Sequence, residues 1–233
     1  MDQSNPEEHK PVRKAFTKFT EYWLTDASFS LLLVILIFTV FILPILIEYG
    51  KVQTIFVNTV FLFLFFTGIW SSRQKGLIIL TTLLFFAQLG LRILRFSDIP
   101  VEFYLLERIV GIANMIVFIL LNIKLLFRDD EVNMYRVIGA INVYLLVAIL
   151  GAFLLEIIQI TTGHSITGDE TLAGQDKDFV YYIYFSLVSL TTVGFGDFIP
   201  TQIMAKMLAV FLSTIGVLYP AVVIAKLVGR GKN

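Results

Sequence analysis

The 233-residue chain has no cysteine, which excludes disulfides and any thiolate-ligated metal site. Charge is scarce: Asp, Glu, Lys and Arg make up 15% of the residues, against about a quarter in an ordinary soluble domain. The 18 basic and 18 acidic residues cancel, so there is no cationic excess of the kind that draws nucleic acid. Histidine occurs twice, at His9 and His164. Neither HExxH nor GxSxG is present, which leaves a membrane-embedded hydrolase with little support. No internal repeat is visible. The first long apolar run lacks a small-residue cleavage site and reads as a retained anchor, not a signal peptide.

What remains is hydrophobic. Apolar residues make up 57% of the chain and the mean hydropathy is +0.83, as in a protein that crosses the membrane several times. A helix needs about 20 apolar residues to cross a core of about 30 Å. Six stretches approach that length: Phe29–Ile47, Val52–Trp70, Gly76–Leu94, Leu105–Phe127, Val137–Ile160 and Met204–Val228. Pro44 sits near the far end of the first, where a kink is tolerated. Phe179–Leu190 is also apolar, but as a helix it extends only about 18 Å. It is expected to re-enter the membrane without crossing it, as short helices do when buried in protein or beside a water-filled cavity.

Positive residues set the orientation. Lys10, Arg13, Lys14 and Lys18, then Arg73 and Lys75, Lys124, Arg128 and Arg136, and finally Lys226, Arg230 and Lys232 all fall on one side if the chain crosses six times. Both termini are then cytoplasmic, and the loop before Phe179 is external. Arg92 and Arg95 fall on the opposite side and weaken the bias. Near the start, Phe16, Phe19 and Trp23 share one helical face beside basic residues, a pattern for a short interfacial helix, with a disordered basic tail as the alternative. Gln88, Asn114, Asn122 and Asn142 lie within spans and read as interhelical hydrogen-bonding residues.

One short segment stands out from this apolar background: Thr191-Thr192-Val193-Gly194-Phe195-Gly196-Asp197. Two glycines flank one Phe, and glycine reaches positive φ without steric cost. Gly194 and Gly196 can therefore turn successive carbonyls to one side. Alternation along an extended strand would send the Val193 and Phe195 side chains the other way.

The sequence TTVGFGD, with Pro200 three positions after Asp197, Lys206 six further on and Gly216 ten beyond that, resembles the pore of six-span tetrameric potassium channels of the voltage-gated-like superfamily. The likeness covers roughly residues 156–224; before that it extends only to hydropathy and span count. It implies an all-α membrane protein, with six transmembrane helices, a re-entrant pore helix and a selectivity filter between the fifth and sixth, assembled as a homotetramer. Rings of carbonyls from Thr192, Val193, Gly194 and Phe195 would replace the hydration shell of K⁺. Thr192 would add a hydroxyl at the inner entrance. The filter would run from Thr191 to Asp197, with Asp197 ending it at the external mouth, anchoring it and attracting cations. Tyr184 and Phe185 occupy positions where the family carries an aromatic cuff behind the filter. Phe195 departs from the commoner Tyr, so a hydroxyl that would brace that cuff is missing. Gly216 stands where the family places a hinge, and with Pro220 four residues on it marks a bend or gate in the last helix.

On this resemblance the chain divides into a cytoplasmic N-terminal segment (1–27), a four-helix module like a voltage sensor (28–128), a pore domain (129–229) and a short cytoplasmic tail (230–233). The module lacks the usual charged fourth span, since Ile109–Leu121 carries no charge. Arg92 and Arg95 have a sensor's spacing but end the third span, and Arg108 stands by itself beside Glu107. Weak voltage dependence, or none, is expected, with these three arginines as the only candidate sensing charges. Glu156, costly inside a span unless paired, is read either as bracing the pore loop or as snorkelling to the interface. The acidic loop residues Asp169, Glu170, Asp176 and Asp178, against Lys177, read foremost as a solvated turret, alternatively as a means of concentrating cations. The expected partners are membrane lipids and three further copies of the chain, with K⁺ in the filter, no organic cofactor, no nucleic acid and no separate ligand-binding domain. A potassium-transporter subunit and a weakly selective cation channel are the runners-up. The stimulus that opens the pore is not written in the sequence.

Overall fold

Pro44 shapes the first helix. It has no N–H to offer Val40, and its ring crowds that carbonyl. In the computed structural model the chain answers by widening one turn. Helix α1 (Ser28–Ile37) passes into a π-helical turn over Phe38–Ile42, and α2 (Leu43–Glu48) continues it. The Leu43 N–H reaches back five residues to the Phe38 carbonyl, and the Thr39 hydroxyl donates to the Ile35 carbonyl at 2.7 Å. The helix then stops in a Schellman turn. Gly50, at φ +62°, donates to Ile47 O, and Lys51 donates to Leu46 O, satisfying the last carbonyls.

The structure describes residues 28–70, 75–95, 103–126 and 134–230. The interfacial helix expected around Phe16, Phe19 and Trp23 lies outside these residues, as do His9, Arg73, Arg128 and Lys232 among the flanking groups. Beyond α2 come α3 (Thr54–Trp70), α4 (Lys75–Arg95), α5 (Tyr104–Leu126), α6 (Met134–Thr162), the short α7 (Phe179–Leu190) and α8 (Ile203–Arg230). A two-stranded ladder joins β1 (Ile166–Thr167) to β2 (Ile199–Pro200), antiparallel. The protein is all-α and membrane-embedded in character. Among the described residues five helical rods are long and apolar enough to cross a bilayer: Phe29–Glu48, Gly76–Arg95, Tyr104–Lys124, Met134–Thr162 and Ile203–Lys226. The sixth expected span forms as α3, an apolar helix of 17 residues, or about 25 Å.

Helix α6 is the hub, packed by α1, α5, α7 and α8. Its apolar window is 61% buried, whereas that of α8 is only 17% buried. Small residues make the hub tight. A side chain on Gly139 would press on the Phe29 ring at 3.2 Å, and one on Gly151 would overlap the Ser186 hydroxyl on α7 and approach Leu212 on α8. Phe61, Phe153 and Phe179 pack their rings together and join α3, α6 and the start of α7.

Candidate functional site: the loop after the short helix

The ladder between β1 and β2 holds residues 166–167 beside 199–200, so everything between them leaves and returns at one place. Thr201 N–H and its hydroxyl both donate to Ser165 O, and Ser165 N–H donates to Gln159 Oε1 at 2.7 Å. Within this closed loop, Asp178 turns the chain into α7. One carboxylate oxygen accepts from the N–H groups of Ala173, Gly174 and Gln175 at 2.8, 2.7 and 3.0 Å. Helix α7 is then pinned along its length. The Ser186 hydroxyl donates to Ala148 O at 2.7 Å, Ser213 to Ser189 O at 2.8 Å, and Tyr144 to Leu190 O at 3.2 Å.

After the C-terminal end of α7 the sign of φ changes residue by residue. Thr192, Gly194 and Gly196 have φ of 59°, 61° and 80°, while Val193 and Phe195 between them stay at negative φ, since Thr192 is the only non-glycine at positive φ among the described residues. The extended strand expected to carry the side-chain alternation of Val193 and Phe195 does not form. The segment is not a strand; its φ alternates in sign from residue to residue. Thr192 is β-branched, so its positive φ is strained. Val193 and Phe195 are 52% and 71% exposed, so no wall of the same chain covers them. Tyr184 Oη donates to Asp197 Oδ2 at 2.6 Å, and the Phe198 N–H donates to Asp197 Oδ1. The Tyr184 hydroxyl first, and the Phe198 amide after it, hold the Asp197 carboxyl below its ordinary range. Phe185, its neighbour on the helix, is buried.

Gly216 on α8 lies directly beneath this loop. A Cβ there would overlap the carbonyl oxygen of Leu190, the last residue of α7. Helix α8 runs unbroken through Gly216 and Pro220, and because Pro220 has no N–H, the Gly216 carbonyl loses its usual i+4 donor.

The remaining residues singled out in the sequence converge elsewhere, at the N-terminal end of α7. Arg92 donates to Glu107 Oε1 from Nε at 2.8 Å and from Nη2 at 2.5 Å, and also to the Asn58 carbonyl. Arg95 reaches Glu107 Oε2 at 3.2 Å and Asp176 Oδ2 at 2.7 Å. Arg108 donates from Nη2 to Asp176 Oδ1, and its Nε is 2.9 Å from Glu156 Oε2, an ion pair not aligned as a hydrogen bond. Tyr104 Oη donates to Glu156 Oε1, and its ring lies 4.2 Å from the Arg95 guanidinium and 4.9 Å from that of Arg108.

Three expectations change here. Arg108 is not a solitary charge beside Glu107: Glu107 serves Arg92 and Arg95, while Arg108 serves Glu156 and Asp176. Glu156 neither snorkels nor touches the loop after α7; it braces α5 against α6. The acidic loop is a solvated turret only at Asp169 and Glu170, because Asp176 and Asp178 are buried. Burial would raise the Asp176 carboxyl, but Arg108, with Arg95 and Arg92 after it, outweighs burial and holds it below the ordinary range. The sequence pattern sets Asp176 in the solvated turret and does not single out Tyr104. The signal for them is faint: a pair of acidic residues shortly before an apolar helix, and one Tyr a turn before Arg108.

Residues 143–231 match a family model described as "Ion channel". The match covers a little over a third of the chain and includes α7, the alternating loop and α8. No curated protein and no solved structure gave a significant match. The matched segment supports a passive ion channel, hence a membrane transport protein.

Proposed function

We propose that this chain is one subunit of a homotetrameric, potassium-selective channel of the six-span, voltage-gated-like type, multi-pass in the cell membrane with both termini cytoplasmic. In this reading α3 completes the sixth crossing. Helix α7, at 12 residues too short to span the core, enters and returns through the closed end made by β1 and β2. Thr191–Asp197 is the selectivity filter. The carbonyls of Thr192, Val193, Gly194 and Phe195 ligate dehydrated K⁺, and four chains supply the oxygens that one strand lacks. The C-terminal end of α7, where carbonyl dipoles give partial negative charge, faces the ion's inner approach. Tyr184 and Phe185 support the filter, and α8 bends at Gly216 and Pro220 to gate it.

The observation that carries this reading is the positive φ at every second residue, Thr192, Gly194 and Gly196, after the end of a pinned helix, with the exposed Val193 and Phe195 side chains left for neighbours to cover. Purified protein in planar bilayers tests it. Under K⁺ on one side and Na⁺ on the other, the reversal potential is expected to follow K⁺. A potential near zero would replace the reading by a weakly selective cation channel. Flux at transporter rates, with no unitary currents, would favour a transporter subunit.

A further inference from the structure

We infer that the three arginines of the module are clamps and not field sensors, and that Arg108 is a positioning residue for the filter; this rests on the potassium-channel reading above. The cluster holds three guanidinium groups, Arg92, Arg95 and Arg108, against three carboxylates, Glu107, Glu156 and Asp176. Every bond in it joins different elements. Arg92 ties α4 to α5. Arg95 ties α4 both to α5 and to the segment entering α7. Arg108 ties α5 both to α6 and to that same segment. Asp176 receives both Arg95 and Arg108, and it stands three residues before Phe179, where α7 begins.

Helix α7 therefore has two fixed ends. Its C-terminus is set by Tyr144 and by the close approach of Gly216; its N-terminus is set by Asp176. A rigid helix of 12 residues transmits any tilt at Asp176 to the loop that follows Leu190. Sensing the field would instead require the arginines to leave their partners. Inward movement of α5 would carry Arg108 past α3, α4 and α6, whose only carboxylate is the Glu156 it would be leaving, so the neighbouring helices offer no second resting place. The carboxylates that hold the arginines are themselves buried, Glu107 and Glu156 at 0% and 1% exposure, and a buried charge left without its partner is strongly disfavoured. The module is thus coupled to conduction through the stability of the filter.

The test uses the full chain in bilayers, as wild type, Arg95→Gln, Arg108→Gln, Asp176→Asn and the Arg108→Gln/Asp176→Asn double variant. Native mass spectrometry checks that each assembles. The readouts are current decay at constant voltage, its response to raised external K⁺, and the slope of the conductance–voltage curve. Arg108→Gln and Asp176→Asn are each expected to hasten decay about tenfold, Arg95→Gln about threefold, with the double variant no faster than the faster single. Raised external K⁺ should slow the decay again, because ions in the filter oppose its collapse, and the slope should not change. Unaltered decay in assembled channels, additive effects, decay indifferent to K⁺, or a flattened slope would each overturn the inference. If Arg108→Gln does not assemble, Arg95→Gln, on the partly exposed side of the cluster, decides alone. Wild type that conducts no K⁺ would refute the channel reading and the inference together; wild type that conducts, with variants unchanged, would refute the inference only.

Discussion

Gly216 has no room for a side chain. The atom a methyl would meet is a backbone carbonyl, Leu190 O, which cannot swing aside as a flexible side chain could. Gly216→Ala is therefore expected to push α8 off the end of α7, at about 1–3 kcal/mol for the overpacking. The thermal midpoint in detergent should fall and K⁺ current should be lost; a variant with wild-type midpoint and current would show that the two helices are not in contact. The brace of the proposed filter gives a second prediction at this scale. Phe195 lacks a hydroxyl, and Tyr184 supplies one to Asp197 from the other side. A net hydrogen bond contributes about 0.5–1.5 kcal/mol, enough for a several-fold change in rate. Phe195→Tyr should slow inactivation and Tyr184→Phe should hasten it. Macroscopic decay measured in both separates the roles, and identical decay in all three proteins would dismiss the idea of a weakened brace.

Helix α7 was legible as an element, and the carboxylate that precedes it was not. The apolar run Phe179–Leu190 sits between a polar loop and TTVGFGD, so its limits are written locally and coincide with those of the helix. Pro44 likewise announced a disturbance in the first span, though not that it would be a π-turn. Asp176 is different in kind. Its partners lie 68 and 81 positions away, and its neighbours Asp169, Glu170 and Lys177 make it look like part of a solvated loop. Only tertiary packing separates the buried carboxylate from the exposed ones. The strained Thr192 was hidden for a similar reason: glycine advertises positive φ, a β-branched residue does not. The burial of Asp176 carries a pH prediction. Its native carboxyl titrates below the ordinary range, so its contribution to stability is present above the unfolded value, about 3.9, and is lost as pH falls through the lower native value. Thermal midpoints at pH 7 and pH 5 should differ little on its account and fall below about pH 4, and the drop should be smaller in Asp176→Asn. An equal drop in both proteins would assign the acid sensitivity to other groups.

At the level of the whole molecule, one chain leaves its central loop unfinished. Val193 and Phe195 are largely exposed, α8 buries little of its apolar surface, and in the proposed filter one chain would offer one oxygen per level to an ion that needs several. Lipid can cover α8, but it cannot line an aqueous path or support the back of a filter, so in the channel proposed above the missing surfaces would belong to further copies. Counting those copies requires a subunit that assembles yet cannot conduct. Gly194→Ala fits the need: φ of 61° strains any residue with a Cβ, while no atom within 4 Å obstructs folding. Wild type and Gly194→Ala mixed in equal amounts should leave about one sixteenth of the current per assembled complex if four chains share one filter and one defective strand suffices to block it. A residual near one quarter would mean a dimer, and near one half a pore contained within each chain. The same mixture in native mass spectrometry should give complexes of four subunits of 26.4 kDa, with the two kinds of chain in binomial proportions, which separates selective assembly from true loss of conduction.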